Sequence, residues 1–188
     1  MIHDVDDTLR ELLVQKVPID ITTIDIKFEM PTTDWSAGVS KPTLNLFLYD
    51  LRENVELRSH QRYVTRTASV VTERRAPIRL DLAYMITAWA AEVADEHQLL
   101  GRVLHTLLRY PVLPPETLKG WMQSQRLPVQ TWIAQPERTP NAWDFWSSLD
   151  GRLKPGISCV LTTAFEPYPA EELPIVTEGR FKVSDLAE

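Results

Sequence analysis

Residues 78–89, with the sequence IRLDLAYMITAW, carry the most regular apolar pattern in the chain. Every second position is apolar without a break, namely Ile78, Leu80, Leu82, Tyr84, Ile86 and Ala88. Because successive side chains of a β-strand point to opposite faces of a sheet, this alternation predicts a strand. Twelve residues is long for one strand, so we expect a bend or a bulge in it.

Six further segments are predicted to be extended. Four of them are strands by their apolar pattern, at residues 19–30, 43–51, 129–134 and 157–165. Residues 55–58 and 62–72 carry many polar side chains, which suits the strands of a hairpin ribbon that faces solvent or a partner. Because short connections join consecutive strands, the sheet is expected to be mostly antiparallel.

Helical spacing replaces this alternation in four places. Residues 4–17 carry a single apolar stripe, made of Val5, Leu9, Leu12 and Leu13. Residues 95–109 repeat the pattern, with Asp95 as the expected N-cap. Shorter helices are predicted after Pro115 and after Thr139, and Thr139 is expected to cap the second. Together the elements predict an α+β fold, a mostly antiparallel sheet flanked by a few helices.

The composition is that of an ordinary globular protein. The chain has 188 residues, 44% hydrophobic and 24% charged, with a net charge of −6. Such a charge argues against extensive binding to nucleic acid or to an anionic membrane. The single cysteine, Cys159, excludes an intrachain disulfide and is expected to be a buried thiol, which suits folding in a reducing cytoplasm.

A change of character near residue 167 divides the chain. Residues 1–166 contain the predicted strands and helices and are expected to form one domain. Residues 167–188 hold three prolines, and their acidic side chains outnumber the basic ones. We therefore expect an extended, Pro-rich acidic arm rather than part of the core.

The segment DVDDTL, residues 4–9, fits the pattern that opens the haloacid dehalogenase phosphatases. In those enzymes the first aspartate is the nucleophile and the second is the acid or base, so Asp4 and Asp6 would take these roles. The nucleophile must stand at the end of a buried strand, however, and only Met1, Ile2 and His3 precede it. A helix start, capped by Asp4 or Asp6, is the simpler interpretation.

Other motifs fit their chemistry less well. Residues 151–158 have the glycine spacing of a phosphate-binding loop, but Ile157 replaces the required lysine and a strand follows, so a helix C-cap at Gly151 is expected. His97 and His105 are two helical turns apart, which is too far for one metal ion. We therefore expect no catalytic residue, no cofactor and no metal site.

A basic run offers a different kind of site. Between residues 52 and 79 there are seven arginines and three acids, and arginine is favoured in protein interfaces. Two tryptophans three positions apart on a short helix are expected to share a face and to anchor a neighbour. The candidate interface residues are Arg58, Arg62, Arg66, Arg74, Arg75, Trp143 and Trp146. Scattered surface charges and core packing are the alternatives, and the acidic arm is a hypothetical partner for the basic run of a neighbouring copy.

Five blocks of the sequence, in order, resemble one protein family. They are MIHDVDDTLRELL at the start, PTLNLFLYDLREN at 42–54, RLDLAYMITAWA at 79–90, DEHQLLGRVLHTLLRYPVLP at 95–114 and NAWDFWSSLDGRLKPGIS at 141–158. They resemble the N-terminal domain of the cap, or tail-terminator, proteins of extracellular contractile injection systems. The antifeeding prophage and the virulence-cassette particles are examples of such systems.

The resemblance implies a structural function. It implies a hexameric ring that closes the inner tube and the contractile sheath, with tube and sheath proteins as partners and without catalysis. It also implies a protein made in the bacterial cytoplasm and built into a particle, and neither a nucleic-acid partner nor membrane insertion is expected. The alternatives are a small phosphatase that uses Asp4 and Asp6, and a phage terminator at a head–tail joint.

Overall fold

The computed structural model describes residues 1–67 and 70–174, which form two β-sheets and four α-helices. The strands are β1 (Asp25–Lys27), β2 (Thr43–Glu53), β3 (Arg62–Arg66), β4 (Val70–Arg75), β5 (Ile78–Trp89), β6 (Gln130–Ile133), β7 (Ile157–Phe165) and β8 (Glu171–Pro174). The helices are α1 (Ile2–Lys16), α2 (Thr33–Ala37), α3 (Val93–Leu108) and α4 (Ala142–Ser148). The α+β class predicted from the sequence is confirmed.

The larger sheet has the order β1-β2-β5-β7-β6, so the strand predicted from residues 78–89 lies at its centre. All of its neighbouring pairs are antiparallel except β1 and β2. The expected irregularity lies in β2 and not in β5. The register shifts between Leu48 and Asp50 while β5 continues unbroken, which makes Tyr49 the extra residue of a β-bulge.

The two faces of this sheet are covered unequally. One face packs against α1 and α3, and the apolar stripe predicted for α1 is fully buried there with Tyr84 and Ile86 of β5. The other face carries a smaller cluster in which Met85 contacts residues of α4. Since both faces are covered, the polar-looking positions of β5 are buried too, including Asp81 and Thr87.

The N-caps predicted for α1, α3 and α4 are wrong, because other residues immediately precede these helices. Helix α1 begins at Ile2 with Met1 as its N-cap, so neither Asp4 nor Asp6 caps it. Helix α3 begins at Val93, which places Asp95 in its first turn. Helix α4 is capped by Asn141, whose side-chain oxygen accepts hydrogen bonds from two backbone N–H groups of the first turn, and not by Thr139.

Two predicted strands are shorter or absent. Only Asp25–Lys27 of the segment 19–30 forms a strand, because the Asp20 carboxylate accepts bonds from the N–H and hydroxyl of Thr22 and holds a turn before it. Residues Val55–Leu57 form a turn of 3₁₀-helix instead of the predicted strand. The side chain of Asn54 caps this turn by accepting a hydrogen bond from the N–H of Leu57.

The smaller sheet has the order β3-β4-β8 and is entirely antiparallel. Its third strand comes from the segment 167–188, which was predicted to be an arm. Residues Glu171–Pro174 pair with β4 of the same chain, from Glu73 to Val70. The remainder of the predicted arm, residues 175–188, lies outside the described residues.

Candidate functional site

The basic run folds into the hairpin of β3 and β4, which we call the ribbon. All five residues of β3 are exposed, and β4 is only partly covered. The ribbon precedes β5 directly, so it leaves the larger sheet at the end where β5 begins. It is a projecting element rather than part of either apolar cluster.

A buried polar network around Asp81 lies in the larger sheet near the strands that flank the ribbon in sequence. The Asp81 carboxylate of β5 accepts hydrogen bonds from Thr162, at 2.6 Å, from Asn54, at 3.0 Å, and from the guanidinium of Arg138, at 2.9 Å. Because every bond is charge-assisted and Asp81 is 4% exposed, the network holds Asn54, the residue directly after β2, against β5. The sequence gives no sign of it, since Asp81 occupies a position that looked solvent-facing.

The register assigns the ribbon's side chains to two faces. One face carries Arg62, Val64 and Arg66, with Glu73 opposite Val64. The other face carries Tyr63 and Thr65, opposite Arg74 and Thr72. The arginines predicted as one interface patch are therefore divided between two sides of a thin sheet.

Three of the five candidate arginines have partners in their own chain. Arg58 forms two bonds of 2.7 Å with Glu53, which lower the pKa of the Glu53 carboxyl and raise the pKa of Arg58. Arg62 pairs with Glu73, and the guanidinium of Arg75 lies 4.7 Å from the centre of the Tyr168 ring.

The other two arginines differ. Within residues 1–67 and 70–174, no carboxylate forms an ion pair with Arg66 or Arg74. Each lies on a different face of the ribbon. They are the candidate arginines whose charge the surrounding chain leaves most available to a partner.

The prediction that the two tryptophans share a face is wrong. Trp146 is 3% exposed and lies in the smaller apolar cluster, where its indole N–H donates to the carbonyl of Lys154. Trp143 is 69% exposed. The buried side of α4 is centred among Phe145, Trp146 and Leu149, and at 3.6 residues per turn Trp143 falls about a quarter turn or more from that centre.

A groove beside the ribbon was not foreseen from the sequence. Residues Arg126 and Leu127 lie across from the face of the ribbon that carries Tyr63, Thr65 and Arg74, and the space between them is about 480 Å³. Arg126 is more than fifty positions from β4, so no local pattern could have joined these groups. The groove brings Arg126, which pairs with Glu166 at 3.5 Å, close to the ribbon's surface.

The aspartates of DVDDTL do not form a catalytic pair. Asp4 lies in the first turn of α1, where the amino group of Met1, at 2.8 Å, lowers the pKa of its carboxyl. Asp6 accepts a 2.7 Å bond from the hydroxyl of Tyr84, and burial raises the pKa of its carboxyl. Neither aspartate stands at the end of a strand, so the arrangement that a phosphatase nucleophile needs is not present at this motif.

The remaining motifs have structural roles. Asp150, at φ 51°, takes the left-handed position after α4, and the N–H of Gly151 donates to the carbonyl of Trp146 at 3.0 Å. The C-cap is Leu149, so the predicted cap at Gly151 is two residues too late. Cys159 is buried as expected, and burial raises the pKa of its thiol to about 12.

The described part of the chain contains no cluster of three or more His, Cys, Asp or Glu side chains placed to hold a metal ion. It also contains no helix long and apolar enough to cross a membrane.

Two solved structures share this fold. The sheath/tube terminator of an extracellular contractile injection system, PVC, in its extended state, superposes with a TM-score of 0.74 at 24% sequence identity. That match covers 100% of this chain and 64% of the terminator chain. The cap of the anti-feeding prophage, a tube-terminating cap, superposes with a TM-score of 0.69 at 21% identity, covering 97% of this chain and 62% of the cap.

The chain therefore spans somewhat less than two thirds of the length of these structures. No curated protein sequence matches it. The sequence profile of the Pvc16 N-terminal domain, in contrast, matches residues 4–177, nearly the whole chain. On that match, the chain belongs to the Pvc16 N-terminal domain family.

Proposed function

We propose that this protein is a structural cap that ends the inner tube and the contractile sheath of a phage-tail-like injection particle. One observation carries the proposal: the family match over residues 4–177 coincides with a fold shared, over the whole chain, with a sheath/tube terminator. The protein has no catalytic role in this proposal, and its partners are the tube and sheath proteins.

A cap of this kind is a closed ring, and we propose a hexamer. A head-to-tail interface that closes on itself stops growth, whereas the same interface left open would continue into a filament. The exposed ribbon, with Arg66 and Arg74 unpaired among the described residues, and the exposed Trp143 are the surfaces we assign to contacts between subunits or with the particle. Trp146 supports such a surface only indirectly, by holding α4 on the sheet.

The charge of the chain fits a protein partner. Its net charge is −6, while the ribbon is locally basic, so the surface is suited to acidic protein segments better than to nucleic acid. In this proposal the protein is made in the bacterial cytoplasm and becomes part of a particle.

Imaging of particle ends tests the proposal. The full chain is produced together with the tube and sheath proteins of its own particle, and preparations with and without it are compared by negative-stain microscopy and sizing. We expect a ring of six subunits at one end, and tubes of less regular length when the chain is omitted. A stable monomer that never decorates tube or sheath ends would refute the cap, and attachment only to a phage head would favour the head–tail alternative.

An assay for phosphatase activity separates the enzyme alternative. Wild-type protein and Asp4→Asn are incubated with Mg²⁺ and a generic phosphoester. We expect no hydrolysis by either protein. Hydrolysis by the wild type that disappears in Asp4→Asn would contradict the structural function.

A further inference from the structure

The outer edge of β3 carries a row of backbone groups that the described residues do not pair. The order β3-β4-β8 leaves β3 with β4 on one side only. Along the ladder of β3 and β4, residue pairs that exchange backbone hydrogen bonds alternate with pairs that do not. At one end the N–H of Ala76 donates to the carbonyl of Gln61 at 3.0 Å, and at the other end the N–H of Thr67 donates to the carbonyl of Val70 at 2.9 Å.

This alternation decides which residues point outward. The bonded pairs lie at every second position from Gln61, so Tyr63 and Thr65 exchange bonds with β4. The N–H and C=O groups of Arg62, Val64 and Arg66 consequently point away from β4. Such a row is a template on which another extended segment can form hydrogen bonds.

The other sheet edges are partly blocked. At β8 the same alternation turns Glu172 and Pro174 outward, and proline has no N–H to offer. At β1 the guanidinium of Arg10 donates to the carbonyl of Ile26 at 2.8 Å. The contrast distinguishes the edge of β3, which the described residues leave unpaired, from the edges of β8 and β1.

Arginines lie on both faces next to this edge. The groove of about 480 Å³ lies on the face of Tyr63 and Thr65 and contains Arg74, together with Arg126, which is paired with Glu166 at 3.5 Å. On the opposite face Arg66 is exposed and forms no ion pair with a described residue. A strand added to β3 would point alternate side chains into the groove and toward Arg66, so acidic residues on it would meet arginine on either face.

We infer that the edge of β3 takes an extended acidic segment of another protein of the particle as an added strand. This inference rests on the proposed function, which supplies the particle. We commit to a different protein rather than a second copy, because among the described residues the extended acidic stretch of this chain, Glu171 and Glu172, is already paired with β4. Main-chain bonds at Arg62, Val64 and Arg66 supply the affinity, and the arginines select the charge.

Peptide binding to the full chain tests the inference. The probe is a short labelled peptide in which glutamate alternates with threonine, and its counterpart alternates lysine with threonine; fluorescence anisotropy is the readout. We expect the glutamate peptide alone to bind. Val64→Pro removes one outward N–H and should weaken binding about tenfold, whereas Val64→Thr keeps the N–H and should bind like the wild type.

Charge variants test the inference without relying on the proline substitution. Arg74→Glu should weaken binding of the glutamate peptide about tenfold or more, while Arg109→Glu, an exposed arginine at the end of α3, should leave it unchanged. Circular dichroism checks that each variant is folded. If Val64→Pro is not, a glutamate peptide in which one central threonine is replaced by proline tests strand addition to the wild type in its place, and it should bind about tenfold more weakly.

Three results would overturn the inference. They are no binding of the glutamate peptide by the wild type, equal binding of both peptides, and loss in Arg74→Glu with full retention in a folded Val64→Pro, which would mean charge attraction without strand addition. Failure of the proposed function looks different: the glutamate peptide binds, yet the chain never caps tube or sheath ends.

Discussion

The carboxylate of Asp6 lies partly buried against the hydroxyl of Tyr84. Burial outweighs this hydrogen bond and raises the pKa of the carboxyl above its ordinary value. A raised pKa means that the folded state binds the proton more tightly than the unfolded chain does. The contribution of Asp6 to stability is therefore most favourable at acid pH and is lost as the pH rises through its folded-state pKa.

Asp6→Asn removes this titration and keeps an oxygen that can accept the bond from Tyr84. We expect a higher free energy of unfolding than the wild type at neutral pH, and a difference that shrinks as the pH falls into the carboxylate range. Urea unfolding at several pH values measures it. The exposed Asp34 of α2 provides the control, since Asp34→Asn leaves Asp6 and its surroundings in place and should keep the wild-type pH dependence. A difference between Asp6→Asn and the wild type that does not change with pH would mean that burial does not control this carboxyl.

At the scale of elements, β8 joins the smaller sheet but not the larger one. It adds four register pairs to β4, and Tyr168, three residues before it, stacks against Arg75. The two apolar clusters contain no residue of the segment 167–174. Removal of this strand should therefore leave the fold of the larger sheet unchanged and should alter the surface of the ribbon.

Truncation separates these contributions. A chain ending at Glu166 should show the thermal unfolding of the wild type within a few degrees, because the five-stranded sheet and its helices are intact, but it should cap particle ends less efficiently. A chain ending at Pro174 keeps β8 and is the matched control. Capping by the shorter chain at wild-type efficiency would contradict a role for β8 and the residues around it.

At the scale of the whole molecule, charge is distributed unevenly. The chain carries −6 overall, while the run from residue 52 to 79 has seven arginines and three acids. Because the ribbon projects from the larger sheet, its charge lies outside both apolar clusters. Changes there are expected to affect contacts with other proteins before they affect folding.

Reversal of Arg62 and Arg66 to glutamate tests this separation. We expect the variant to lose attachment to particle ends while its melting temperature stays close to that of the wild type. Arg62 pairs with Glu73, so the single variant Arg66→Glu is examined alongside to exclude a local effect of that lost pair. Arg109→Glu serves as the charge-matched control. A loss of thermal stability equal to the loss of capping would identify these arginines as ordinary surface charges of the fold.

Much of the fold is predictable from short-range patterns. The strands at 78–89 and 157–165 have the bounds expected from the sequence, because each has a strong apolar pattern. The predicted stripe of α1 is buried for the same reason. Segments without this regularity are predicted less well. The pattern of residues 55–58 is compatible with a strand or with a turn, and the turn forms because the side chain of Asn54 accepts a hydrogen bond from the N–H of Leu57.

The candidate site was predictable only in part. The basic run was found because its arginines are close in sequence, but which of them are paired depends on acids whose positions the fold sets. The prediction that Trp143 and Trp146 share a face is wrong because their spacing fixes only the angle between them around the helix. The direction in which the core lies depends on tertiary packing.

The sequence by itself determined the long central strands, the two long helices, the α+β class and the family, since periodicity and ordered blocks are properties of neighbouring residues. The tertiary structure decided which edge of the ribbon and which arginines have no partner among the described residues, and that Arg126 lines a groove with Arg74. These features depend on residues far apart in the chain, and their distances exist only once the sheets are formed.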